Sequence, residues 1–83
     1  MDEYRKRIRE FFGRFFRTAQ LGDGDDVFEG GLVNSLFAMQ LIAWIETDFD
    51  IDVEDSDLRI SNFNSVNAIA AFIRSKSAGA AVA

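Results

Sequence analysis

The chain has 83 residues, 48% of them hydrophobic and nine of them Phe, which is one small domain with enough apolar mass for a core. It contains no Cys and no His, which excludes disulfides, thiolate zinc sites and a cysteine nucleophile and removes the commonest general base, so a self-sufficient enzyme is not expected. The net charge of −5 hides an asymmetry: six of the nine bases are Arg5, Lys6, Arg7, Arg9, Arg14 and Arg17, whereas Thr18 to Leu58 holds eleven acids and no base.

The first predicted element is a helix from Asp2 to about Arg17. Tyr4, Ile8, Phe11, Phe12, Phe15 and Phe16 recur at three- and four-residue spacing and give one apolar stripe. Asp2 is placed to cap its start, Gly13 weakens it, and the basic run reads as a solvated face. Thr18 to Asn34 is a loop punctuated by Gly22, Gly24, Gly30 and Gly31, with Val27, Phe28, Leu32 and Val33 as the residues that pin it to the core. A loop this long in so small a domain is expected to be functional or packed by its own side chains.

Helix two is predicted from Ser35 to Asp50, with Met39, Leu41, Ile42, Ile45 and Phe49 as its buried arc. Ile51 to Ile60 reads as irregular chain anchored by Ile51, Val53, Leu58 and Ile60. A short helical turn follows near Ser61–Phe63. Ser65 then caps a last helix from Val66 to about Ser75, with Val66, Ile69, Ala70, Phe72 and Ile73 inward. The domain is expected to span residues 1–76, with 77–83 as a disordered tail. Three long helices and one short helix make an all-α, small four-helix bundle.

Ser35 sits where a Gly- and Asp-rich loop meets a strongly apolar helix. Its hydroxyl can cap the helix, and it stands at the positive end of the helix dipole, where a phosphate ester is stabilised. Ser35-Leu36 before an apolar helix, Phe49-Asp50-Ile51 at its end, and Asn62-Phe63-Asn64-Ser65-Val66 before a final helix together resemble the acyl carrier protein family. The resemblance runs from about Tyr4 to Ile73. It implies the acyl-carrier type of bundle and a 4′-phosphopantetheine arm, derived from coenzyme A, esterified to Ser35. The stretch Gly30-Gly31-Leu32-Val33-Asn34-Ser35-Leu36-Phe37-Ala38-Met39-Gln40-Leu41 is most similar to free-standing carriers of glyceryl-derived or methoxymalonyl-type extender units in polyketide biosynthesis.

The implied partners are a phosphopantetheinyl transferase, acyl-loading and extender-modifying enzymes, and a polyketide synthase. A cytoplasmic monomer is expected, since the N-terminus is charged and no apolar stretch reaches membrane-spanning length. The acidic middle would repel nucleic acid. The family usually has Asp before the serine, where this chain has Asn34, and acids along helix two, where it has Leu36, Gln40, Ala43, Trp44 and Thr47 with Phe37 beside them. This surface is the expected docking side, and Phe37 and Trp44 are read either as cover for the loop or as an apolar docking patch for dedicated partners. Asp48, Asp50, Asp52 and Glu54 alternate with bulky apolar residues and lack the glycine of a calcium loop; they and Asp23, Asp25 and Asp26 read as solvated surface, and no metal site is expected. The alternatives are a peptidyl or D-alanyl carrier with the same arm, or an unmodified helical adaptor.

Overall fold

The computed structural model describes residues 2–15, 21–28 and 35–82. Among the described residues four helices occur in chain order: α1 Asp2–Phe12, α2 Ser35–Phe49, α3 Ile60–Phe63 and α4 Val66–Val82, with one 3-10 turn at Asp55–Asp57 before α3. The all-helical bundle follows from the apolar periodicities, and α4 packs against each of the other three helices. Its core joins Ile8, Phe11 and Phe12 of α1, Leu41 and Ile45 of α2, Phe63 of α3, and Val66, Ile69, Ala70, Phe72 and Ile73 of α4.

α1 ends earlier than its apolar stripe implies. The amide of Gly13 still donates to the Arg9 carbonyl at 2.9 Å, but Arg14 and Phe15 donate to Phe11 and Phe12, three residues back. This tightened turn closes the helix at the glycine, where helix propensity is weakest. Phe16 and Arg17, like Asn34 and the loop residues Gly30, Gly31, Leu32 and Val33, lie outside the described residues.

The basic run of α1 is less solvated than predicted. Arg9 donates to Asp23 at 2.7 Å and to the Leu21 carbonyl at 2.8 Å, Arg5 donates to Asn67 at 2.9 Å, and Arg7 lies 3.4 Å from Asp48 and 4.2 Å above the Phe49 ring. The charge asymmetry is thus partly resolved inside the molecule, with α1 clamping the acidic loop and the end of α2. These pairs are half-exposed, so each contributes only up to about 1 kcal/mol.

The face that α2 buries agrees with the prediction at Leu41 and Ile45, with Ile42 and Phe49 partly buried beside them, and differs at Phe37 and Met39. Its core residues are Phe37, Leu41 and Ile45, spaced by four, while Met39 is 69% exposed. Two residues rotate a helix by about 200°, so Met39 and Phe37 lie on opposite sides. The helix is apolar nearly all round from Leu36 to Ile45, and periodicity alone cannot choose its inner face. The rings of α1 make the choice: Phe37 lies 5.8, 5.6 and 5.1 Å from Phe11, Phe12 and Phe15.

α2 stops at Phe49. Asp50 takes a left-handed φ of 54°, and the amide of Ile51 reaches back to the Glu46 carbonyl at 3.3 Å. This six-to-one closure is the Schellman arrangement, with buried Ile51 as its hydrophobic contact. At the other end of the bundle, Ser65 caps α4 as predicted, its Oγ accepting from the Ala68 amide at 3.0 Å. The loop serves this terminus too, since the Asn67 amide donates to the Asp23 carbonyl at 2.8 Å. α4 continues to Val82, through most of the segment expected as a disordered tail. Residues 78–81 are Ala-Gly-Ala-Ala, and alanine is the best helix former.

Candidate functional site

Ser35 is exposed at the first turn of α2. That turn contains no acid to neutralise the positive helix end, and the setting suits a phosphate ester. Leu36, Gln40, Ala43 and Thr47 are exposed on the same helix. Together with Leu36 and Met39, Leu58 and Ile60 are 54–69% exposed, an apolar surface on α2 and on the chain entering α3. Leu58 and Ile60, expected as anchors, thus stand outside the core; buried Ile51 and half-buried Val53 anchor that segment instead.

Two aromatic residues expected on the docking face are placed otherwise. Phe37 is 8% exposed and sits inside the ring cluster, so it offers almost no surface to a partner. Trp44 is half-buried, stacked on Phe11 at 4.6 Å and 22°, with Phe49 edge-on at 5.3 Å. It packs on α1 through Phe11. Tyr4 meets Phe49 at 5.6 Å, so the rings run in an unbroken line from Tyr4 to Phe15 along the α1–α2 seam. Edge and offset contacts of this kind stabilise beyond the area they bury.

The residues that sequence reasoning missed form a cleft between α2 and α3. Ala38, one helical turn after Ser35, and Ile42 make one side; Leu58, Arg59, Ile60 and Phe63 make the other, and Phe28 comes from the loop. Its volume is about 160 Å³, small beside the roughly 300–1,000 Å³ of pockets for drug-sized ligands. The signal available in the sequence was Leu58 and Ile60 flanking Arg59, two large apolar residues with no helical period to bury them.

The acids of the loop hold structure. Asp25 accepts from the Gly22 amide at 2.7 Å, and Asp26 accepts from the Phe28 amide at 2.9 Å and from Asn64 Nδ2 at 3.1 Å. Asn64 is therefore a strut to the loop, and its own carbonyl accepts from the Val27 amide at 2.8 Å. These bonds fix Phe28 over the cleft. In the second acidic run, Glu46 accepts from the Val53 amide at 3.0 Å. Among the described residues no three acids stand together as a metal would need, and no helix is long and apolar enough to cross a membrane.

An all-helical bundle that presents one hydroxyl at the positive end of a helix, beside a small apolar cleft, has the makings of a carrier. The comparison with known families agrees: the family described as "Phosphopantetheine attachment site" matches residues 6–73. The chain belongs to that family, whose members are non-catalytic carriers with a covalently attached 4′-phosphopantetheine. It is similar to the D-alanyl carrier proteins of Lactococcus lactis subsp. cremoris (strains MG1363 and SK11) and subsp. lactis (strain IL1403). Each is 37% identical over 51 residues, which is 61% of this chain. The chain spans 65% of the length of these curated relatives.

Proposed function

We propose that the chain carries a small acyl unit whose arm is attached at Ser35, and that it serves polyketide-type assembly as a carrier of extender units. The observation that carries this reading is the exposed Ser35 beside a charge-poor apolar surface and a cleft sized for a small group. When bound, 4′-phosphopantetheine supplies the thiol that holds cargo as a thioester, a group this chain lacks because it has no Cys. Ser35 offers the hydroxyl, and the first turn of α2 offers its amides and dipole to the phosphate. Ala38, Ile42 and Phe63 give the adjoining cleft an apolar lining. Leu36, Met39, Leu58 and Ile60 form the surface on which a phosphopantetheinyl transferase and the acyl-loading enzymes dock. With few charges in that patch, docking depends on apolar contact more than on ion pairing.

A second reading, an aminoacyl carrier, is favoured by the 37% identity to D-alanyl carrier proteins. Intact mass tests the common part: incubation with a transferase and coenzyme A adds the arm to the native chain and adds nothing to Ser35→Ala. An increment retained in Ser35→Ala overturns the assignment of the site. Loading with glyceryl, malonyl or D-alanyl donors then separates the two cargo classes.

A further inference from the structure

We propose that Lys76 is a positioning residue: its bond to Asp57 holds the Leu58–Ile60 wall of the apolar cleft in place and so sets how well the cleft shields cargo from water. This rests on the carrier reading for its consequence, but the tie itself does not.

The wall cannot hold itself. Leu58, Arg59 and Ile60 are all exposed, so burial contributes little to their position. The polar bonds at their base are much denser. Lys76 Nζ, on α4, donates to Asp57 Oδ2 at 2.7 Å across 19 residues of chain. The same Oδ2 accepts from the Glu54 amide at 3.0 Å, and the Asp57 amide returns a bond to the Glu54 carbonyl at 2.9 Å. The Asp57 carbonyl accepts from Asn62 Nδ2 of α3 at 2.8 Å and from the Arg59 amide at 2.8 Å. One residue thus joins the 3-10 turn, the wall, α3 and α4. The two side chains are only 20% and 24% exposed, which limits competition from water.

Lys76 is itself steered. Its ammonium lies 6.0 Å from the Phe72 ring, and Phe72 meets Phe63 edge-on at 5.1 Å. Phe63 lines the cleft. The lysine therefore reaches the cleft by two routes, through Asp57 to the wall and through Phe72 to Phe63. Phe28, at the loop edge of the cleft, has its own strut in Asp26 and Asn64. Removing the lysine charge should loosen the Leu58–Ile60 wall and leave Phe28 held.

The test begins with the unmodified protein, so it stands whether or not Ser35 is the attachment site. Amide hydrogen exchange is compared for the native chain, Lys76→Met and Lys76→Arg. Exchange at residues 58–63 should rise about fivefold or more in Lys76→Met, with Leu41 and Ile45 nearly unchanged, because local opening is decoupled from global unfolding. Lys76→Arg, which keeps the charge, should restore most of the protection. A uniform rise along the chain, or none at 58–63, overturns the tie. On the loaded carrier, Lys76→Met should shorten the life of the cargo thioester in water. Local opening with an unchanged thioester life overturns the shielding role.

Discussion

Trp44→Ala separates packing from docking most sharply. In the structure Trp44 is half-buried, stacked on Phe11 and edge-on to Phe49. Full truncation of a buried aromatic costs about 3–5 kcal/mol, and half-burial lowers that to about 2–3 kcal/mol. A domain of this size gains or loses about 4–8 °C in Tm per kcal/mol, so Tm should fall by roughly 10–20 °C. Circular dichroism is the assay, because the substitution removes the single tryptophan and its fluorescence with it. Loading is measured in parallel, well below both transitions, where the mutant remains folded and should load at nearly the native rate. Leu36→Ala is the counterpart: Leu36 is 65% exposed, so its Tm should barely move, while loading should weaken by about 1–3 kcal/mol if it anchors the partner. Unchanged Tm with a large loss of loading in Trp44→Ala would refute the packing argument and return Trp44 to the docking face.

Asp50→Gly should stabilise the fold by about 0.5–1 kcal/mol, since the left-handed φ of 54° strains a side chain but not a glycine; a thermal melt showing a fall in Tm would contradict the Schellman account. The tie between Asp57 and Lys76 should survive across the neutral range. The Lys76 hydrogen bond holds the Asp57 carboxyl below its ordinary pKa, with the Glu54 amide assisting. Its contribution is therefore present above the ordinary carboxylate value and lost as pH falls through the lowered one. Lys76 is raised by its bond to Asp57, with Glu54 and Asp52 adding smaller attractions, so its contribution is lost only as pH rises through that raised value. Exchange at residues 58–63, corrected for the intrinsic pH dependence of amide exchange, should be flat between these limits; loosening near neutrality would refute the pairing.

The division between sequence and tertiary structure follows element by element. The four helices, the Ser65 cap and the position of Ser35 at the start of α2 were legible because each rests on local chemistry: apolar spacing and a hydroxyl beside orphan amides. The inward face of α2 was legible only in part: Leu41 and Ile45 were placed correctly, Phe37 and Met39 were not. Leu36 to Ile45 is apolar around nearly its whole circumference, Gln40 apart, so only the rings of α1 decide that Phe37 is buried and Met39 exposed. The same holds for the arginines of α1, whose spacing gives a charged face but cannot name Asp23, Asn67 and Asp48 as its partners. The cleft beside Ser35 and the bond from Lys76 to Asp57 join residues far apart in the chain. Their existence depends on how α3 and α4 pack, a property of the assembled core that no local pattern contains.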